Sequence, residues 1–393
     1  MTRAAVRANS PATVEWVAPE QAEFYEHVAR FARDLQSDAS ERDRTGSFSR
    51  ELWDRCAALG IQGLPAPVEF GGQGADVVTT MLALEALGYG CDDNGLVFSI
   101  NAHLWTSVVP LMSFGTDEQR ARWLPDLCSG RAIGCHAITE PEAGSDAFAL
   151  ATRARKVEGG FVLNGRKTFI TNAPIADLLI VFARTTENAA GPFGITAFLI
   201  PAGTEGLVVG PPMDKMGLRT SPMAEVILED CFVPADAVVG SLGRGAKVFQ
   251  TSMRWERACI MASQVGAMRR TMERCIAYAR ERRQFGQAIG KFESVADKIA
   301  NMKIAVDASR ALVLRVGWLM DNGHGTDLEA AVAKTFVSEA GVRVHTDAVQ
   351  VHGGYGYMTE LGLERALRDS LGGTIYSGTS EIQRRIIAGA LGL

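Results

Sequence analysis

Five short segments carry residue types and spacings that could do chemistry. The first is Thr139-Glu140-Pro141-Glu142-Ala143-Gly144-Ser145-Asp146. Its hydroxyls, and the backbone N–H groups beside glycine, can bind a cofactor ring or a phosphate. A polar turn between two elements is the plainer reading. The second is Lys167-Thr168-Phe169-Ile170-Thr171-Asn172-Ala173. Strand alternation puts Phe169 and Thr171 on one face, where they could meet a planar cofactor or simply half-bury. The third, Arg280-Glu281-Arg282-Arg283-Gln284-Phe285-Gly286, offers guanidinium groups suited to pyrophosphate, or charge complementing a helix C-terminus. The fourth, Gln350-Val351-His352-Gly353-Gly354-Tyr355-Gly356-Tyr357, has paired glycines that admit a ligand or end a helix. The fifth, Ile375-Tyr376-Ser377-Gly378-Thr379-Ser380-Glu381-Ile382-Gln383-Arg384, leads a Gly-Thr-Ser turn into a helix. That helix N-terminus has free N–H groups, and Thr379 or Ser380 could serve as a cap alone.

The elements that must position these segments fall in three blocks along 393 residues. Residues 1–18 read as a disordered tail without the apolar core of a signal peptide, as expected of a cytoplasmic protein. Residues 19–130 are helical in pattern, with amphipathic stretches at Glu20–Leu35, Arg50–Leu59 and Val77–Leu87 and a helix capped by Thr116. Residues 131–242 show short β-rich runs, among them Phe161–Leu163, Leu178–Phe182, Thr196–Ile200 and Glu225–Leu228, and predict a β-barrel or sandwich. Residues 243–393 return to helical steps, with Lys291–Met320, Leu328–Val351 and Ser380–Leu391, and predict an antiparallel bundle. The fold class is α+β in segregated blocks.

Composition excludes several functions. The net charge of -5 argues against a general nucleic-acid binder, although Met253–Gly286 holds eight Arg against three Glu. No apolar run reaches the ~18 residues a membrane helix needs. The seven cysteines include no C-x-x-C pair, and the six histidines lack H-x-x-x-H spacing, so no metal site or disulfide framework is expected.

In order and joint presence, the five segments resemble the acyl-CoA dehydrogenase superfamily from about Pro19 to Leu393. PVEFGGQG and MGLRTSPMAEVILEDCFVP fit as well. The resemblance implies an N-terminal helical domain, a middle β-barrel domain and a C-terminal four-helix bundle, in a homotetramer binding FAD. It implies that His136, Ile138, Thr139, Gly144, Ser145, Phe169 and Thr171 line the flavin. Arg282, Phe285 and Gln350 through Gly354 would reach the FAD of a neighbouring subunit, and Thr379 and Glu381 would lie near their own. The implied reaction is α,β-dehydrogenation of an acyl thioester: a carboxylate removes the α-proton and the β-hydrogen leaves as hydride to the flavin. Ser145, Arg257, Ser377 and Gly378 would contact substrate, and an electron-transfer flavoprotein would accept the electrons. No nucleic acid or membrane partner is expected.

Two departures from the family pattern matter. Many relatives carry the catalytic Glu just before Gly-Thr in the last segment, where this chain has Ser377. A smaller branch keeps it on the helix opening the C-terminal bundle, directly before an Arg. Here that helix offers Trp255-Glu256-Arg257, which makes Glu256 the candidate base near the start of the helix. Its plainer reading is one arm of a surface charge pattern with Arg254 and Arg257. Glu293, in KFESV, stands where relatives usually have Gln, and a carboxylate there would repel a pyrophosphate unless paired. WER, ITNAPIAD and YSGTSEIQ are similar to the subgroup that oxidises prolyl or other aminoacyl groups on a peptidyl carrier protein. The alternatives are a short- or branched-chain acyl-CoA dehydrogenase, a flavin monooxygenase marked by an oxygen-dependent product, and a DNA-associated member marked by salt-sensitive duplex binding.

Overall fold

A computed structural model describes residues 17–35, 38–186 and 191–393, so nearly all of the expected tail lies outside it. The described chain forms two compact units. Of the described residues, one takes in 17–35, 76–92 and 258–373; the other takes in 38–75, 93–186, 191–257 and 374–393.

The second unit is built on an eight-stranded sheet. Its strands are β1 (Gly134–Ala137), β2 (Arg153–Val157), β3 (Gly160–Thr171), β4 (Leu178–Arg184), β5 (Ile195–Pro201), β6 (Leu207–Val209), β7 (Met223–Pro234) and β8 (Val238–Val239). The pairing order is β6-β7-β3-β2-β4-β5-β8, with β1 also on β4. This corrects the expected barrel: β6 and β8 end the sheet and do not pair with each other. With three residues and two, neither can extend a closing ladder. The seam is also thin, since β2 meets β4 only at Arg153–Arg184. β1 occupies the rest of that edge, from Gly134–Leu178 to Ala137–Val181. The Thr139–Asp146 segment therefore leaves the sheet at an interior seam.

β4 and β5 are buried on both faces, whereas β2, β3 and β7 expose alternate residues. Leu179, Val181 and Ala183 join Phe161, Leu163, Phe198 and Val226 in a core enclosed by strands. Leu178, Ile180 and Phe182 join Leu111, Leu124, Leu127 and Val248 in a core shared with helices. A strand buried on both faces reads as a continuous apolar run, as LLIVF does. The helix Asn94–Phe114 is, by length and composition, apolar enough to cross a membrane, but 89% of that stretch is buried inside the fold. This corrects the expectation that no apolar stretch is that long; polar residues within it bond inside the fold. Asn101 accepts from the Trp105 indole, and Thr106 donates to the carbonyl of Ala102.

The first unit is helical: Pro19–Arg33, Val77–Gly90, Met261–Glu281, Glu293–Asp321, Asp327–His352 and Leu363–Gly372. Val77–Gly90 and Met261–Glu281 cross closely enough that both contact points must be glycine. A Cβ on Gly88 would lie 1.9 Å from the Ser263 carbonyl, and one on Gly266 2.0 Å from that of Glu85. The Asp321 carboxylate caps Val77–Gly90 by accepting from the N–H groups of Val77 and Val78, at 2.7 and 3.0 Å. The C-terminal helices Met261–Glu281, Glu293–Asp321, Asp327–His352 and Leu363–Gly372 thus share one unit with Pro19–Arg33 and Val77–Gly90. Gly245–Cys259, as far as Arg257, and Ser380–Ala390 belong to the sheet-containing unit.

Candidate active site

In the sheet-containing unit, Gly245–Cys259 lies against Asn94–Phe114. The rings of Trp105 and Trp255 stack at 6.0 Å, and the Ser252 hydroxyl donates to the carbonyl of Trp105 at 2.7 Å. Trp105 lies in a π-helical turn, Leu104–Val108, a distortion common near functional sites. This contact fixes the helix that carries Glu256. Glu256 lies in the last turn of that helix, not near its start, because the helix ends at Cys259. Its side chain is buried, with only 7% of the residue exposed.

Glu256 meets the last of the five segments directly. The Ser377 hydroxyl donates to Glu256 Oε1 at 2.7 Å. The Ser377 carbonyl accepts from Arg257 Nε at 3.2 Å and from the Gln383 amide at 3.0 Å. Gln383 also donates to the carbonyl of Gly378 at 2.9 Å. These contacts hold a backbone that turns left-handed twice, with φ of 57° at Ser377 and 88° at Gly378. Glycine tolerates that conformation and serine rarely does. Thr379 caps the helix Ser380–Ala390, its hydroxyl accepting from the N–H of Ile382. Glu381 is exposed in the first turn of that helix. The structure thus brings Glu256, Arg257, Ser377 and Gly378 together.

The first two segments are tied to each other by a buried ion pair that the sequence did not reveal. Lys167 is fully buried, 2.7 Å from the Glu140 carboxylate and 3.2 Å from the carbonyl of Ile138. Burial pushes the Lys167 ammonium down to about 8, against the pull of Glu140. Burial opposes the charged form of Glu140 too, but Lys167 and the donors of Thr152 and Ala151 hold its carboxyl below the ordinary range. The Thr168 N–H also donates to the carbonyl of Thr139 at 2.9 Å. A β-bulge between Lys167 and Ile170 lets Lys167 point inward while Phe169 points outward. At φ 57°, Phe169 leaves 61% of itself exposed, and Thr171 shares its side of the strand. Ser145 and Gly144 are exposed, and a Cβ on Gly144 would meet no atom within 4 Å.

His136 on β1 packs against Phe182 and Phe249, each ring 5.8 Å away. Burial pushes its pKa down to about 4, so the imidazole is neutral at neutral pH. Ile138 is a core residue.

The remaining expected residues form a second group, in the helical unit. Tyr278, Arg282, Gln284, Ile289, Gly353, Gly354 and Tyr355 are among the residues lining a cavity of about 620 Å³. The Arg282 guanidinium lies over the Tyr355 ring at 5.8 Å. Gln350 lies in the last turn of Asp327–His352, its carbonyl accepting from the N–H of Gly353. Gly353 takes φ 59°, and a Cβ there or on Gly354 would meet no atom within 4 Å. Phe285 stands 93% exposed at the tip of the hairpin Arg283–Gln284 and Gln287–Ala288. Its φ of 48°, with 80° at Gly286, suits a two-residue primed turn. Tyr355 stood inside the fourth segment without a role of its own, and Tyr278 in the cavity wall was not singled out; its only signal was an aromatic residue just before the Arg-rich segment.

The donor sets suit a flavin dinucleotide. One group offers an exposed aromatic face and an open glycine, the other a guanidinium, aromatic rings and uncrowded glycine backbone.

Residues 18–131, 135–231 and 243–392 match the N-terminal, middle and C-terminal domains of acyl-CoA dehydrogenase. The chain is 42% identical over 374 residues to the L-prolyl-[peptidyl-carrier protein] dehydrogenase of Serratia sp. (strain ATCC 39006), covering 95% of this chain and 97% of that protein. Among solved structures, it is similar to the prolyl acyl carrier protein oxidase AnaB, with a TM-score of 0.94 at 45% identity, covering 96% of this chain and 100% of AnaB. It is equally similar to PigA with FAD and proline, with a TM-score of 0.94 at 41% identity, covering 96% and 98%. With all three domains matched and relatives aligned along nearly their whole length, the chain belongs to the acyl-CoA dehydrogenase family.

Proposed function

We propose that this protein is an FAD-dependent dehydrogenase acting on an L-prolyl group held as a thioester on a peptidyl carrier protein. The observation that carries this reading is the buried Glu256 carboxylate in hydrogen-bond contact with Ser377, at the position where many family members place their base. The reading is supported by the similarity to prolyl-carrier-protein enzymes over nearly the whole chain.

When bound, FAD supplies the acceptor for the substrate's β-hydride. The chain supplies the base and the field. Glu256 takes the α-proton as the Cα–H bond breaks, leaving negative charge on the thioester carbonyl oxygen. The backbone N–H of Ser377 is the proposed donor to that oxygen, where charge develops in the transition state. The flavin contacts are assigned to Thr139, Gly144, Ser145, Phe169 and Thr171, with His136 and Ile138 packed behind them. Arg282, Phe285, Gln350, Gly353 and Gly354 are assigned to the dinucleotide of a neighbouring subunit in a homotetramer. The exposure of Phe285, Tyr355 and Tyr357 favours that assignment, because such aromatic groups gain from being covered by a second copy. An electron-transfer flavoprotein is the proposed electron acceptor.

The test is anaerobic bleaching of the flavin by a panel of thioesters. Prolyl-carrier protein should reduce it fastest. Faster reduction by a small acyl-CoA would move the assignment to a short-chain acyl-CoA dehydrogenase.

A further inference from the structure

We infer that the Ser377 hydroxyl is a positioning group for Glu256, fixing its carboxylate through Oε1. This rests on the reading of Glu256 as the base. The contact is specific in geometry. The hydroxyl donates at 2.7 Å to Oε1, an ordinary distance for a charge-assisted bond. The backbone that delivers it is strained, since a serine at φ 57° persists only where its surroundings fix it. The surroundings do so from two sides. Arg257, next to Glu256 on the same helix, and Gln383, in the following helix, both donate to the Ser377 carbonyl. One residue thus ties the turn before Gly378 to the helix carrying the carboxylate at two adjacent positions.

A donor to the ionised carboxylate favours its charged form. Ser377 therefore keeps Glu256 deprotonated to lower pH than it would be without the hydroxyl. The other charged groups named here act alike in the parent and in the Ser377 variants, because none of them changes charge in the range where Glu256 works. Arg254 and Arg257 lie on the same helix and stay charged throughout. Glu381, Arg384 and Arg385 lie on the terminal helix, all exposed. His103, on the helix packed against Trp255, and His136, beside Phe249, are both pushed by burial to about 4 and are neutral where the base works.

The experiment uses the FAD-loaded protein, with Ser377→Ala and Ser377→Gly compared against Glu256→Gln. Both Ser377 variants lose the hydroxyl, but glycine relieves the left-handed backbone and alanine does not. The acid limb of the pH–rate profile for anaerobic flavin reduction by prolyl-carrier protein should move up by about one pH unit in both. Infrared titration of ¹³C-carboxyl-labelled Glu gives a readout independent of turnover. The band lost in Glu256→Gln identifies the carboxyl, and its midpoint should rise in both Ser377 variants. An unmoved profile and midpoint, or a shift in alanine alone, would overturn the positioning role. Near-normal reduction in Glu256→Gln would instead remove the base assignment, whatever the carboxyl midpoint does.

Discussion

Lys167 and Glu140 show how single residues hold the site's framework. A fully buried ammonium is stable only if paired, and Glu140 is its carboxylate partner. Glu140→Gln should therefore cost about 3–5 kcal/mol of unfolding free energy, the usual result of leaving one buried charge alone. Adding Lys167→Met should recover much of that loss. Denaturant unfolding of the two variants checks this; equal stability of Glu140→Gln and the parent would contradict it. The pair was invisible in sequence because Lys167 has the same strand parity as Phe169 and Thr171, and only the bulge turns it inward. Ser377 was half visible. Its side chain type showed that the usual base was missing, but its bond to Glu256 spans 121 residues and follows no local pattern.

At the scale of elements, the sequence located strands and helices well where periodicity was strong. Leu178–Phe182 became β4 (Leu178–Arg184), and the cap expected at Thr116 begins Asp117–Cys128. Termination was harder to read. Glu256 falls in the last turn before a one-residue interruption at Ile260, which keeps helical dihedrals and is marked by no Gly or Pro. Sheet closure was harder still, since short runs suggest a barrel but the lengths of β6 and β8 decide against it. The hairpin carrying Phe285 leads to a prediction at this scale. Arg282, at its base, has a side chain over Tyr355 in the cavity wall. Arg282→Ala should weaken FAD retention about tenfold or more, the worth of a charge-assisted contact. Flavin release followed by fluorescence reads this directly, and unchanged retention would exclude Arg282 from the dinucleotide site.

Across the whole molecule, buried histidines set the acid limit of stability. His103 is held neutral, with Nε2 on the carbonyl of Leu127 and Nδ1 accepting from the N–H of Gly134. Burial pushes it to about 4; burial, with the charge of Arg270, pushes His345 to about 3. In the unfolded chain both protonate near 6.5. Between about 6.5 and 4 the unfolded state binds more protons, so stability falls as pH drops through that range. The two sites together should cost several kcal/mol by pH 4, since each tenfold loss of proton affinity on folding is worth about 1.4 kcal/mol. Melting temperatures measured from pH 7.5 to 4.5 should fall steadily, and a flat profile would contradict the burial of neutral imidazoles. The same scale holds the oligomer: light scattering of the FAD-loaded protein should give a tetramer, and a monomer retaining flavin would contradict it.

The central claim is that Glu256 removes the α-proton of a carrier-bound prolyl thioester, and the most direct measurement is anaerobic flavin reduction by Glu256→Gln. Glutamine keeps the shape of the side chain and its contact with Ser377 while removing its basicity. FAD should remain bound. Reduction by prolyl-carrier protein should slow by about 10²–10⁴-fold, the range for a missing general base. Near-normal reduction in this variant would contradict the account and favour chemistry on the same fold that needs no α-proton base.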